Sequence, residues 1–111
     1  MTSATKPQTG PAGLKRAAAL LKVLSHPDRL QILFFVEDQE QNVTEIQKHV
    51  DLTQAMTSQH LKVLFETGYV DRRRAGTSIY YKLNADQGKK ILPQIRDCEE
   101  LWIGKPVARS R

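Results

Sequence analysis

The sequence has few of the residues that build crosslinked or membrane-spanning proteins. Among 111 residues there is one cysteine, so no disulfide can form within the chain. No apolar run approaches the roughly 20 residues that a membrane-spanning helix needs. The N-terminus, MTSATKPQTGPAG, has no apolar stretch typical of a secretory signal. We therefore expect a cytoplasmic protein without a membrane partner.

Side chains arranged for catalysis are also missing from the sequence. It has no nucleophile paired with a base, no pair of carboxylates placed for acid–base chemistry and no glycine-rich loop for a phosphate group. His26 and His49 have no second metal-ligating residue nearby in sequence, so we expect ordinary surface or helix-capping roles for both. The sequence predicts a protein that is not an enzyme and binds no metal or cofactor.

Positive charge is concentrated in one part of the chain. Lys and Arg total 17 and Asp and Glu total 12, which gives a net charge of +5. Residues 53–83 contain five basic and two acidic side chains, a net charge of +3, whereas residues 40–52 contain three acidic side chains and one lysine. This concentration indicates a polyanionic partner; the alternative is that the basic residues keep a small protein soluble.

Apolar spacing divides the chain into one domain, residues 13–103, and two tails. Residues 1–12 contain almost no large apolar side chains and are predicted to form a flexible tail, and residues 104–111 form the second tail. Within the domain, spacings of three and four residues predict helices, and short runs bounded by turn residues predict strands. The predicted helices cover residues 13–24, 27–38, 44–50, 54–67 and 86–103, and the predicted strands cover residues 69–74 and 78–83.

Several residues mark where these elements begin and end. Thr53 is a favourable N-cap for the fourth helix, and Gly68 is placed to end that helix in the left-handed conformation. Gly76 can adopt a positive φ in the turn between the two strands. Pro93 lies inside the last helix, where we expect it to kink or restart the helix.

The order of the elements predicts a winged helix-turn-helix fold, mainly α-helical with a small β-hairpin wing. The third and fourth helices are joined by a tight turn, DLT, and an arginine-rich hairpin follows. On the fourth helix, Thr57, Leu61 and Leu64 share the side expected to pack on the core. The opposite side suits a helix tip that enters the DNA major groove. It consists of Gln54, Ala55, Ser58, Gln59, Lys62 and Glu66.

The chain from about residue 24 to residue 83 resembles the ArsR/SmtB family of bacterial winged-helix repressors. LSHPDRLQIL resembles the family's second-helix signature, LTQAMTSQHLKVLFETGYV resembles its recognition helix, and RRAGTSIYYKL resembles its wing. The resemblance implies binding to double-stranded DNA. It places the groove contacts on Gln54, Ala55, Ser58 and Gln59 and the wing contacts on Arg73, Arg74 and Thr77.

Several residues near the predicted DNA contacts have more than one possible role. His60 either contacts a phosphate or packs partly buried, and residues 72–74 either contact DNA or form a charged strand edge. Tyr80 and Tyr81 alternate across a strand, so one packs inward and only the outward one can reach a phosphate. Thr57 stands where the family usually has valine, so we expect it in the core. The predicted DNA-binding residues are Thr53, Gln54, Ala55, Ser58, Gln59, His60, Lys62, Arg73, Arg74, Thr77 and Tyr80.

The last helix carries an apolar stripe that exceeds what a small helical core needs. We expect a partner to bury this stripe, with an apolar face of the first helix as its companion. The resemblance implies that these two helices form a homodimer; the alternative is packing within one chain. The predicted interface residues are Leu14, Ala17, Ala18, Leu21, Ile91, Ile95, Cys98 and Trp102.

The resemblance also indicates where a metal would bind, and the ligands are missing there. The last-helix positions fall on Asp86, Gly88, Glu99 and Trp102, of which only Asp86 matches, and the third helix has no cysteine. Acidic neighbours and partial burial disfavour a thiolate at Cys98. We expect Cys98 to serve in packing, with a redox sensor or a metal ligand as alternatives. A small-molecule or redox inducer stays unidentified.

These observations together predict a dimeric, sequence-specific DNA-binding transcriptional regulator, of the repressor type, that binds a palindromic operator. The alternative from another class is a protein-interaction module that uses the winged-helix scaffold without reading DNA. The basic wing and the polar tip of the fourth helix favour DNA reading.

Overall fold

Five helices and three short strands make up the described part of the protein. The computed structural model describes residues 9–104, with side chains described up to residue 98. No described helix is long and apolar enough to cross a membrane. The helices are α1 (Pro11–Leu24), α2 (Pro27–Phe35), α3 (Val43–Val50), α4 (Gln54–Glu66) and α5 (Gln87–Gly104), and the strands are β1 (Gln41–Asn42), β2 (Val70–Ala75) and β3 (Ser78–Leu83).

The first two helices have bounds slightly different from the predicted ones. α1 begins at Pro11, inside the predicted tail, because the fixed φ of a proline suits the first helical position. α2 ends at Phe35 because Val36 leaves the helix, and the Val36 carbonyl accepts a hydrogen bond of 3.0 Å from the Leu83 amide. Residues 1–8 and 105–111 of the two predicted tails lie outside the described residues.

The wing belongs to a sheet of three strands, one more than the sequence predicted. The strands are antiparallel in the order β1-β3-β2, and β3 pairs with β2 along its whole length. β1 adds Gln41 opposite Tyr81 and Asn42 opposite Tyr80. Two residues are too few to show an alternating pattern, so β1 gave no signal in the sequence. This strand fixes the base of the wing beside α3.

The core lies where α2, α3, α4 and α5 meet the base of the wing. Thr57 is fully buried within it, which confirms its predicted core position, and its hydroxyl donates a hydrogen bond of 2.9 Å to the Thr53 carbonyl. The buried apolar residues are Leu24, Ile32, Leu33, Val36, Ile46, Val50, Leu61, Leu64, Tyr69, Val70, Tyr81, Leu83 and Leu92.

Local signals orient α4 as expected. Asp51 ends α3 with a φ of 57°, which turns the chain toward α4. Thr53 caps α4, since its hydroxyl oxygen accepts a hydrogen bond of 3.1 Å from the Met56 amide. After α4, Gly68 has a φ of +85° and the Tyr69 amide donates to the Leu64 carbonyl at 2.9 Å. The capped start of α4 therefore projects away from the core.

α5 continues through Pro93 as a single helix, so the helix is not restarted there. Pro93 is exposed and the neighbouring Leu92 is buried, so the proline faces away from the core. Ile91 and Ile95 are half-buried and pack against the core of their own chain. α5 thus uses part of its apolar stripe to complete the fold of one chain.

Candidate DNA-binding surface

α4 has one buried face and one exposed face, as the residue spacing predicted. Thr57, Leu61 and Leu64 are inaccessible to solvent. Met56, which flanks the buried face, is 46% exposed. The predicted groove-reading residues all lie on the exposed face. They are Gln54, Ala55, Ser58 and Gln59, and Lys62 lies on the same face.

Strand alternation and burial assign the residues of the wing to an inner and an outer face. The inner face, which turns toward α4, comprises Val70, Arg72, Arg74, Ile79, Tyr81 and Leu83. The outer face comprises Asp71, Arg73, Ser78, Tyr80 and Lys82. Tyr81 is buried and Tyr80 is half-buried on the other side, which confirms that one of the two tyrosines packs inward. Two of the predicted contacts, Arg73 and Tyr80, therefore lie on the outer face.

A groove of about 580 Å³ separates α4 from the inner face of the wing and from the start of α3. Lys62 and Arg72 supply two positive charges to its lining and Glu66 one negative charge. Thr44, Ser58 and Thr77 are among the residues that supply hydroxyl groups. Cationic and hydroxyl side chains are the usual partners of phosphate oxygens in protein–DNA complexes. The groove therefore places groups of this kind beside the exposed face of α4.

Arg72 is a candidate contact that the final list of predicted DNA-binding residues did not include. Its guanidinium carbon lies 4.0 Å from the ring centroid of Phe65, so it is held against the C-terminal part of α4. Strand alternation with the apolar Val70 could have placed Arg72 on the inner face. The sequence comparison emphasised Arg73 and Arg74 instead.

Arg73 is engaged by an acidic side chain on the outer face. Its Nε and Nη2 atoms donate hydrogen bonds of 3.0 and 2.8 Å to the two carboxylate oxygens of Glu40. The guanidinium also lies 5.0 Å from the ring centroid of Tyr80. These hydrogen bonds hold the pKa of Glu40 below its usual 4.5 and raise the pKa of Arg73. In the free protein, Arg73 already has a bidentate anionic partner.

His60 connects the recognition helix to the start of α2. Its Nδ1 accepts a hydrogen bond of 3.0 Å from Arg29 Nε, and Arg29 Nη1 donates to the Val23 carbonyl at 3.0 Å. The His26 ring lies 5.3 Å away. Burial and the positive charge of Arg29 lower the pKa of His60. This geometry favours the packing alternative and leaves Nε2 to carry the proton of the neutral ring.

The third histidine, His49, makes a packing contact. The His49 ring stacks on Phe35 with 4.0 Å between ring centroids, which is a packing contact. Within residues 9–98, no three His, Cys, Asp or Glu side chains lie close enough together to hold a metal ion.

The predicted dimer-interface residues of α1 are exposed, whereas those of α5 are partly used by the core of the same chain. Leu14 and Leu21 are 56% and 63% exposed, and Ala17 and Ala18 between them are also exposed. On α5, Ile91 and Ile95 face the chain's own core, as described above, whereas Cys98 is exposed rather than partly buried. No part of the chain that the structure describes covers that turn of the helix. The side chain of Trp102 lies outside the described residues.

Comparison with known proteins identifies relatives of this fold and surface. Residues 26–72 match the family described as "Bacterial regulatory protein, arsR family". The chain is 40% identical over 85 residues to the biofilm growth-associated repressor of Agrobacterium fabrum, covering 74% of this chain and 73% of that protein. It is 34% identical over 77 residues to the transcriptional activator HlyU of Vibrio cholerae, covering 69% and 71%. These relatives are transcriptional regulators rather than enzymes.

A solved structure shows the same architecture. The homodimeric winged helix-turn-helix DNA-binding domain from Mycobacterium bovis, known from a solution structure, is 28% identical to this chain and superposes with a TM-score of 0.70. The match covers 86% of this chain and 91% of that one. The expected winged helix-turn-helix fold is therefore confirmed.

Proposed function

Because the chain belongs to the arsR family of bacterial regulatory proteins and is a DNA-binding transcriptional regulator, we propose that it acts in the cytoplasm as a homodimeric repressor of a two-fold symmetric operator. One observation carries the proposal. The exposed polar face of α4 lies beside a cationic groove and wing, while α1 presents an apolar face to solvent.

Sequence reading is assigned to the first two turns of α4. Gln54 and Gln59 carry amides that can donate and accept hydrogen bonds with an adenine edge. Ala55 and Ser58 are small, so they let the helix backbone approach the bases closely. All four side chains are exposed, on the side of α4 away from Thr57 and Leu61, which are buried in the core. This end of the helix can therefore enter a major groove without displacing other parts of the chain.

Backbone contacts are assigned to the groove and to the wing tip. Lys62 and Arg72 approach the groove from its two walls, and Thr44 and Thr77 contribute hydroxyls at its ends. Arg74 is exposed and follows Arg72 on the inner face by strand alternation. Contacts of these types fix the register of a protein on DNA without reading its sequence.

The dimer is assigned to α1 together with the turn of α5 that carries Cys98. Two leucines more than half exposed on one helix face of a 111-residue chain favour burial against a second copy. Two-fold symmetry would then place two copies of α4 on half-sites whose centres are about 10 base pairs apart, or a multiple of that distance. The homodimeric state of the Mycobacterium bovis domain supports this assembly.

Repression is the regulatory outcome that we propose. The relatives include a repressor from Agrobacterium fabrum and an activator from Vibrio cholerae, and the repressor shares the higher identity. A dimer bound across a promoter excludes RNA polymerase from the same DNA. A promoter carrying the operator should therefore lose activity when the protein is produced and regain it in a Gln59→Ala strain.

Selection of bound duplexes from a random double-stranded DNA library tests the proposal. We expect enrichment of a two-fold symmetric sequence, and cleavage protection of two half-sites on one face of the duplex. Enrichment of single, unpaired half-sites would contradict the dimer. No enrichment over the starting library would contradict sequence reading by α4.

A further inference from the structure

Glu40 and Arg73 form a bidentate ion pair across the outer face of the wing. Both guanidinium–carboxylate distances, 3.0 and 2.8 Å, are those of charge-assisted hydrogen bonds. The side chains are 33% and 55% exposed, so solvent and other anions can reach the pair. The pair therefore offers an exchangeable site, in which one anion holds the guanidinium of Arg73.

The sheet register explains why these two residues meet. Arg73 lies opposite Tyr80, and Tyr80 lies opposite Asn42 on the third strand. Glu40 is two residues before Asn42 and shares its side of the sheet, so the guanidinium reaches it by crossing the ring of Tyr80. β1 is thus the element that brings a carboxylate to the wing.

The carboxylate occupies the same donors that a DNA phosphate would use. Arginine binds carboxylate and phosphate through two parallel N–H donors, and both anions present two oxygens to that fork. The fork formed by Nε and Nη2 of Arg73 is filled by the two oxygens of Glu40. Within the described residues, Arg72 and Arg74 of the same strand have no such ion pair. Arg73 is the arginine of this strand whose phosphate-binding fork is already occupied.

We propose that Glu40 competes with DNA phosphates for Arg73 and thereby lowers the affinity of the protein for DNA of any sequence. The inference rests on the proposed function, since it concerns the wing of the same DNA-binding surface. Non-specific binding comes almost entirely from cation–phosphate contacts. Withholding one cation weakens that binding and leaves the base contacts of α4 unchanged.

The test compares Glu40→Gln with Glu37→Gln on random-sequence duplex DNA. Glu37 is a matched control, because its carboxylate also pairs with an arginine, Arg96, at 2.7 Å, and is 25% exposed. Each substitution removes one negative charge and keeps the size of the side chain. We expect Glu40→Gln to bind about three- to tenfold more tightly at moderate salt and to steepen the dependence of log affinity on log salt by about one unit. We expect Glu37→Gln to change the affinity less than about twofold.

The same comparison in an Arg73→Gln background shows whether Arg73 carries the effect. If it does, Glu40→Gln gains no more affinity than Glu37→Gln in that background. Three results would overturn the inference: equal gains from both substitutions, a gain from Glu40→Gln that persists without Arg73, or weaker binding by Glu40→Gln. Thermal unfolding of each variant confirms that the compared proteins are folded.

If the proposed function is wrong, a different measurement shows it. A wild-type protein that binds selected and random duplexes equally well lacks base reading, while the Glu40 comparison on random DNA is unaffected. The two claims are therefore tested separately.

Discussion

The guanidinium of Arg72 lies over the ring of Phe65, with 4.0 Å between its central carbon and the ring centroid. Arg72 belongs to the wing and Phe65 to the recognition helix, and both line the groove between these elements. The contact joins the part proposed to read bases to the part proposed to hold the backbone. The inner face of the wing and the exposed face of α4 thus line one groove.

The two wing arginines that follow Arg72 should differ in their effect on salt dependence. Arg74→Gln is expected to weaken binding to all sequences and to flatten the salt slope by about one unit, because one phosphate contact is lost. Arg73→Gln should flatten it by less, since Glu40 already holds that guanidinium. Titrations from low to moderate salt measure both slopes. A larger change for Arg73→Gln would show that Glu40 does not keep this guanidinium from the phosphates.

The dimer surface is tested best on α1. Leu21 is 63% exposed in the single chain, so Leu21→Asp leaves the fold of one chain intact but places an unpaired carboxylate in the apolar interface. We expect dissociation to folded monomers, with a cost of several kcal/mol to dimerisation. Sedimentation velocity at micromolar concentration measures the result.

Ile95→Asp provides the informative comparison for that experiment. Ile95 packs against its own core, so this substitution should lower the free energy of unfolding as well as weaken the dimer. A Leu21→Asp protein that still sediments as a dimer would show that α1 is not the interface.

Protonation of His60 should destabilise the protein in mild acid. Burial lowers the pKa of His60 from its ordinary 6.5, so the unfolded chain takes up the proton before the folded chain does. The free energy of unfolding therefore falls as the pH drops below about 6.5. Urea unfolding between pH 7.5 and pH 5 should show a steeper loss for wild type than for His60→Gln. Parallel plots of unfolding free energy against pH for the two proteins would show that His60 does not contribute to the loss of stability in acid.

The Thr57→Val substitution tests whether Thr57 of α4 packs in the core or contacts DNA bases. The substitution removes the 2.9 Å hydrogen bond to the Thr53 carbonyl, which still accepts a bond of 3.0 Å from the Thr57 amide. We expect the free energy of unfolding to change by less than about 1 kcal/mol, with operator affinity preserved. Denaturant titration and a binding isotherm check the two expectations. A folded variant that loses operator preference would place Thr57 among the base contacts.

Sequence reasoning succeeded where local signals were strong. Residues 54–66 combine a threonine cap, an apolar side spaced by three and four residues and a following glycine, and each signal acts within a few residues of the chain. The helix and its exposed face were therefore predictable. Gly76, with a φ of +66°, likewise fixes the hairpin turn through its own backbone.

The features that sequence reasoning missed depend on contacts between distant residues. Glu40 and Arg73 are 33 residues apart, and the two-residue strand β1 that brings them together has no periodicity of its own. Cys98 was expected to be partly buried because its helix stripe is apolar, but Cys98 is exposed, whereas Ile91 and Ile95 of the same stripe pack against the core. Helical spacing indicates which residues share a face, whereas the length of that face covered by a neighbour depends on the tertiary fold.

Sequence reading by α4 is the central claim, and the affinity of Gln59→Ala for two duplexes tests it most directly. Gln59 is exposed on the face of α4 opposite the core, and its amide suits a bidentate contact with adenine. We predict that the substitution costs about 1 to 3 kcal/mol on the selected operator and much less on random DNA. Arg74→Gln, the control for a backbone contact, should lose similar affinity on both duplexes. Equal losses by Gln59→Ala on operator and random DNA would contradict base reading by this residue.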